Sequence, residues 1–442
     1  MDSQGSAAKV LPIFGEDFRP RFHFTPERNW MNDPNGLLFY KGRYHLFYQH
    51  NPEGNLWGNM SWGHAASTDL FNWEHLPIAI RYDAEFGIFS GSAVVDHTNT
   101  TGFGSIEKPA MVAIFTAARH DETHQSQHLA YSVDEGITWQ RYEGNPVLDE
   151  SMKDFRDPKV TWEAASNTWL MTIAKPEEHK IAFYRSADLK SWKHLSDFGP
   201  LAAIGGCWEC PDLFSLTGPD GSIHWVLLVS LNPGGVAGGS GTQYFLGQWD
   251  GITFSTSQTT TLWLDYGRDN YAGVTFNDAP NGEKIFLGWM SNWLYARDIP
   301  TEIWRSSMTL PRRFELTTVN DELQLNSQPI APQGQKPNRY LINCNQDCSI
   351  TFTNESGSVE VVFNSLTKSL TIDRSNAWLA GVIEEPQTSP KISAESFILE
   401  VFLDHGSIEL FAPSIALSMS SLHLLHNEEV KITTLGTEPL HA

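Results

Sequence analysis

Cysteine is scarce, with four in 442 residues. That excludes a small fold framed by disulfides. Cys207 and Cys210 form a C-x-x-C and Cys344 and Cys348 a C-x₃-C, but neither pair has the tight, repeated spacing of a structural zinc site, so no metal is expected. Positive charge is short as well: 30 Lys and Arg against 52 Asp and Glu leave a net of −22. Phosphate backbones and anionic lipid surfaces would be repelled, so neither nucleic acid nor a membrane is an expected partner. No hydrophobic run approaches the roughly 18 residues needed to span a bilayer; the strongest, Trp225 to Val229, is strand-sized. Residues 1–20 lack the basic start and apolar core of a signal peptide. An extracellular location with the leader already removed is nevertheless slightly favoured over a cytoplasmic one. The sequons at Asn99 and Asn354 decide nothing, and assembly into a homo-oligomer stays open.

Helical periodicity is nearly absent too, and what replaces it is informative. Aromatics make up 12% of the chain, with 16 Trp, ample for a packed core. Short runs of Val, Ile, Phe, Tyr, Trp and Thr alternate with Gly, Asn, Asp and Pro, the texture of antiparallel sheet. Residues Gly36 to Tyr40 and Arg43 to Gln49 read as a hairpin turning at Lys41-Gly42. A weak repeat runs through Ser67-Thr-Asp-Leu-Phe-Asn-Trp73, Ser132-Val-Asp-Glu-Gly-Ile-Thr-Trp139 and Ser186-Ala-Asp-Leu-Lys-Ser-Trp192, with Trp249-Asp-Gly-Ile-Thr-Phe254 as a degenerate fourth copy. The copies are spaced by 66, 53 and 62 residues. A unit near that length suits a four-stranded blade, and five such units predict a five-bladed β-propeller. After Arg312-Arg-Phe-Glu-Leu316 the texture changes, and Trp378 is the only Trp beyond Trp304. An all-β chain is expected, with a propeller over residues 1–318 and a C-terminal β-sandwich over 319–442. The proline-containing stretch 326–338 is read as the linker or entry strand.

Three carboxylates fall early in their repeat units. Asp33 lies 40 residues before Trp73, Asp157 lies 35 before Trp192, and Glu209 lies 45 before Phe254. In a propeller the first strand of each blade lines the central funnel, so acids at this phase converge near the axis. Convergent carboxylates without a basic cluster suit glycoside cleavage, in which one acid is ionised and another is protonated. Nearby aromatics would supply faces for stacking on sugars and would desolvate a carboxyl. Asp33 and Asp157, each followed by proline, can equally be turn-formers, and spacing alone leaves both readings open. Trp73, Trp139 and Trp192 are assigned to blade packing, and His23, His45 and His64 to structural roles.

Longer motifs narrow the field. Trp30-Met-Asn-Asp-Pro-Asn-Gly36, Phe89-Ser-Gly-Ser92, Phe155-Arg-Asp-Pro158 and Trp208-Glu-Cys-Pro-Asp212, in this order, resemble glycoside hydrolase family 32, the invertases, exo-inulinases and levanases. Trp57-Gly58, Trp62-Gly-His64, Asp265 to Ala272, Ser291-Asn-Trp293 and Trp304 to Met308 strengthen the resemblance, which covers residues ~20–315 closely and the remainder loosely. It implies a five-bladed propeller with a β-sandwich, no cofactor, and retaining chemistry on terminal β-D-fructofuranosyl groups of sucrose and related fructosides. It implies further that Asp33 is the nucleophile, Glu209 the acid/base and Asp157 a transition-state stabiliser. Asp33 should then titrate low and Glu209 high, with their carboxyls about 5–5.5 Å apart. Asn32, Pro34, Asn35, Gln49, Trp57, Phe89, Ser90, Arg156 and Trp293 match fructose-pocket positions. The expected partner is a small sugar, with sucrose favoured over inulin or levan. Fructosyl transfer, fructan exo-hydrolysis and a catalytically silent fructan-binding module are the alternatives, the last disfavoured because all three acids are present.

Overall fold

Each copy of the Ser-x-Asp turn closes the outer hairpin of one sheet. In the computed structural model, which describes residues 16–332, 338–426, 429–436 and 440–441, these turns join third to fourth strands. The turn is self-bonded. Ser67 Oγ donates to Asp69 Oδ1 at 2.9 Å, and that oxygen accepts the N–H groups of Phe71 and Asn72 at 2.9 and 2.7 Å, so short polar side chains replace the missing ladder bonds. The indole N–H groups of Trp73, Trp139 and Trp192 donate to the carbonyls of Leu70, Gly136 and Leu189 at 2.9, 2.9 and 3.0 Å. These three acceptor residues share a left-handed backbone, with φ of 72°, 86° and 64°. The repeat in the sequence is therefore a repeated turn.

Among the described residues the strands form seven sheets. Five are blades whose first strands are Asn29–Tyr40, Phe86–Val95, Arg156–Glu163, Cys207–Thr217 and Tyr271–Thr275. Each first strand pairs antiparallel with the next strand along the chain. The first strands of successive blades also pack on one another, and the fifth returns to the first, closing a ring. The short strand Trp304–Arg305 seals the join by pairing in parallel with Asn29 and Trp30. The turn at Lys41-Gly42 forms as expected, with φ of 48° and 80°.

The division expected between residues 318 and 319 falls inside a hairpin. Arg312–Val319 pairs with Glu322–Pro329 along their full lengths, and both belong to the fifth blade. We therefore propose a boundary after Pro329; residues 333–337 of the expected linker lie outside the described residues. Two five-stranded sheets follow. Ile350, Phe352 and Val361 of one face Ile342, Leu399 and Leu410 of the other in a single core, as the two-residue period of a sandwich requires.

Charge, not only apolar contact, joins the sandwich to the ring. His23 Nδ1 lies 2.8 Å from Asp404 Oδ2, and its Nε2 lies 2.7 Å from Glu409 Oε2. Arg312 completes the cluster, donating to Glu409 at 2.7 Å and to Asp265 at 2.8 Å. Burial works against the His23 cation, but the two carboxylates overcome it and raise its pKa to about 9. Burial likewise opposes ionisation of Glu409, yet His23 and Arg312 bring it down to about 2. His23 thus adds stability fully below its ordinary value of 6.5 and loses that contribution as pH rises through about 9. Glu409 contributes fully above 4.5 and loses its contribution as pH falls through about 2. The Tm difference between the wild type and His23→Gln should be greatest near pH 6 and shrink towards pH 9.5, by the equivalent of about 3 kcal/mol. A difference that is flat across this range, measured by calorimetry, would show that His23 is not charged in the fold.

Candidate active site

All five inner strands carry one extra residue at the same height. In the first, Met31 pairs with His50 and Pro34 with Tyr48, leaving Asn32 and Asp33 opposite a single residue. The same irregularity isolates Phe89-Ser90, Asp157-Pro158, Cys210-Pro211 and Ala272-Gly273 in the other four. These are β-bulges, which bend a strand and re-aim its side chains. Asp157, Cys210 and Ala272 hold φ of 65°, 45° and 53°, a strain of about 1–3 kcal/mol each that the packed ring must sustain.

The bulges bring the three acids together. Asp33 Oδ2 accepts a hydrogen bond from Ser90 Oγ at 2.7 Å and Oδ1 accepts one from Asn32 Nδ2 at 2.9 Å. Asn32 is itself fixed by Trp30 Nε1 at 2.7 Å. Asp157 Oδ2 accepts the Cys210 N–H at 2.9 Å. The Cys210 thiol lies between two of the acids, 3.7 Å from Asp33 Oδ2 and 3.6 Å from Asp157 Oδ2. Arg156 donates through Nε and Nη2 to Glu209 Oε1 at 3.1 and 3.0 Å and through Nη1 to Asp154 at 2.7 Å. The Tyr271 hydroxyl donates to the other oxygen of Glu209.

Burial dominates the electrostatics. It pushes the Asp33 carboxyl up, against the hydrogen bonds from Ser90 and Asn32 and with help from the charge of Glu209. The low value expected for Asp33 is therefore not what the site produces: two hydrogen bonds do not offset full desolvation. Asp157 is raised by burial as well; Arg156 opposes this, while Glu209 and Asp33 add to it. Burial and the surrounding carboxyls also hold the Cys210 thiol well up, so it remains an S–H donor. Arg156 stays firmly charged, because three neighbouring carboxylates outweigh its desolvation.

The acids lie on the floor of a cavity of about 490 Å³. Asn32, Gln49, Trp57, Phe89, Ser90, Arg156 and Trp293 line it as expected. Pro34 and Asn35 do not. Pro34 is buried within the strand, and Asn35 is fully buried behind the wall. In the amide orientation that satisfies its neighbours, Asn35 accepts from Gln49 Nε2 at 2.9 Å and donates to Ser90 Oγ at 3.2 Å. Asn35 thus positions two lining residues and touches nothing in the cavity. The walls are aromatic: Trp57 meets Phe89 edge to face at 6.0 Å, and Trp293 stacks on Trp30 at 5.8 Å. His23, His45 and His64 lie away from the cavity lining. Among the described residues no group of His, Cys, Asp and Glu is arranged to hold a metal.

Three participants went unpredicted: Cys210, Tyr271 and Asp154. Tyr271 had a signal, since it immediately precedes its bulge, as Arg156 and Glu209 precede theirs. A site of this kind can present a nucleophilic carboxylate, a proton donor and stacking faces to a neutral, hydroxyl-rich molecule.

The chain is similar to known proteins over most of its length. Residues 23–329 match the model for the glycosyl hydrolases family 32 N-terminal domain. The chain is 49% identical to a levanase of Bacillus subtilis, over 72% of this chain and 47% of that protein. It is 44% identical to an extracellular exo-inulinase of Aspergillus ficuum, over 72% and 65% respectively. It thus spans between about half and two thirds of these relatives. Similarity to invertase 2 of Saccharomyces cerevisiae reaches further, 39% over 91% of this chain and 81% of that one. The crystal structure of exo-inulinase from Aspergillus awamori superposes with a TM-score of 0.88 at 33% identity, covering 96% of both chains. With a family model matching well over half of its length and the same propeller and sandwich in a solved relative, the chain belongs to glycosyl hydrolases family 32.

Proposed function

We propose that this protein is a retaining β-fructofuranosidase, hydrolysing terminal non-reducing β-D-fructofuranosyl residues of sucrose and related fructosides. The observation that carries this reading is the meeting of Asp33, Asp157 and Glu209, from three separate blades, in one aromatic-walled cavity. The Asp33 carboxylate attacks the anomeric carbon while Glu209 gives its proton to the departing glycosidic oxygen. The product is a covalent fructosyl-enzyme, and the glycosidic bond electrons leave with the protonated sugar. Glu209, now a carboxylate, takes a proton from water; the resulting nucleophile attacks the same carbon, and Asp33 departs as a carboxylate. Two inversions give net retention.

Support for the individual roles is local. Asn32 and Ser90 grip one Asp33 oxygen each, which orients the carboxylate for attack and steadies it when it leaves. Asp157 is held rigidly by a backbone N–H and is placed to accept sugar hydroxyls, whose hydrogen bonds strengthen as charge develops. Arg156 and Tyr271 hold the two oxygens of Glu209, fixing the carboxyl plane at which the proton is exchanged. A fructan exo-hydrolase is the second reading, favoured by higher identity to the levanase and exo-inulinase than to the invertase.

With an activated aryl β-fructofuranoside, Glu209→Gln should slow turnover by about 10²–10⁴-fold and recover with azide, which needs no general base. Asp33→Asn should lose comparable activity without azide restoring a retained product. Azide insensitivity in both variants, followed by NMR of the products, would contradict these roles. On sucrose, raffinose, inulin and levan, each reaction should release free fructose, and sucrose should yield glucose and fructose in equal amounts. Glucose in clear excess would identify a transferase, and the greater kcat/KM among the four sugars would identify the natural substrate class.

A further inference from the structure

The Tyr271 hydroxyl that holds Glu209 stands at the very start of its strand, where the ladder does little to fix it. Tyr271 pairs with Trp289, the bulge at Ala272-Gly273 follows at once, and pairing resumes at Val274 with Leu287. Burial and the charge of Glu209 hold the Tyr271 hydroxyl well up, so it remains a donor. What precedes Tyr271 is fixed from outside the blade. Asp269, two residues earlier and fully buried, is gripped by the sandwich. Its N–H donates to the Ser420 carbonyl at 3.1 Å, and its Oδ2 accepts the Leu422 N–H at 2.8 Å and Arg374 Nη1 at 2.9 Å.

Arg374 follows the sandwich strand Ser369–Asp373 and is buried. Its Nη2 donates to the Tyr295 hydroxyl at 2.8 Å, and that hydroxyl donates to the other Asp269 oxygen at 2.7 Å. Guanidinium, phenol and carboxylate thus close a triangle, and the ring of Trp378 covers the guanidinium at 3.5 Å. A buried pair of this kind adds little net stability over apolar residues of the same volume; what a forked guanidinium supplies is a fixed geometry. We propose that Arg374 is a positioning residue for proton transfer: through Asp269 it sets where the Tyr271 hydroxyl meets Glu209, although it lies in the sandwich and does not line the catalytic cavity. This inference rests on the acid/base role proposed for Glu209.

The test is a double-mutant cycle on the full chain, reading kcat/KM, which reports the first half-reaction alone. Sucrose needs the proton from Glu209; an activated aryl β-fructofuranoside, whose leaving group departs unprotonated, does not. Arg374→Ala should lower kcat/KM on sucrose by about 10–100-fold and on the aryl substrate by less than about threefold. Tyr271→Phe should show the same split. In the double variant, sucrose cleavage should fall no more than about twofold below Tyr271→Phe alone. If Arg374→Ala does not fold, Tyr295→Phe, which removes only a hydroxyl from the triangle, takes its place in the cycle. Equal losses on the two substrates, or losses that multiply in the double variant, would show that Arg374 merely stabilises the fold and would overturn the proposal. Glu209→Gln separates the two readings. A split there with none at Arg374 overturns this inference alone, whereas no split there removes the acid/base role of Glu209 and this inference with it.

Discussion

A one-residue bulge at a common height in every inner strand is the constraint on which this site rests. A regular strand alternates its side chains between two faces, so a slip of one residue reverses every one of them. Inserting a residue in each inner strand changes the phase part-way along it. Above the bulge the chain presents functional groups to the funnel, and below it resumes the alternation that packs one blade on the next. Five strands do this at one height, so Asp33, Ser90, Asp157 and Cys210 converge although they are spread over 178 residues of sequence. The left-handed backbone at Asp157 and Cys210 is the local cost of that convergence.

Convergence in turn fixes the electrostatics. Burial at the point of convergence pushes both the Asp33 and the Asp157 carboxyls up. Arg156 works the other way, its guanidinium opposing the rise at Asp157. Its position one residue before Asp157 lets a single strand supply both the guanidinium on Glu209 and the carboxylate beside Cys210.

Much of this was legible in the sequence, for reasons that differ by feature. The blade count could be read because Ser67, Ser132 and Ser186 each begin a turn held by bonds within seven or eight residues, and local bonds leave local patterns. The acids could be read because Asp33, Asp157 and Glu209 share a phase with those turns. Pro34 and Asn35 fall outside the cavity lining because a motif marks neighbours in sequence, whereas the pleat sends adjacent side chains to opposite sides. The high-lying Asp33 carboxyl was missed because desolvation depends on the whole ring. The boundary expected at residue 318 and the one proposed after Pro329 differ because the change in texture at Arg312 begins with the outer hairpin of the last blade, which is less aromatic than the inner strands.

None of the described sandwich residues lines the catalytic cavity, yet the sandwich is part of its architecture. The segment leading into the fifth inner strand is tied to it almost residue by residue. Asp265 accepts from Ser420 and from Arg312 at 2.8 Å each, Tyr266 N–H donates to the Ser418 carbonyl at 2.9 Å, and Asp269 binds Arg374 at 2.9 Å. Arg374 is pinned in turn over the ring of Trp378 at 3.5 Å. Two residues beyond Asp269, Tyr271 meets Glu209. A propeller blade begun by a strand of only five residues, Tyr271–Thr275, has little ladder of its own with which to fix that hydroxyl. The buried ion pairs at the sandwich face supply the missing rigidity.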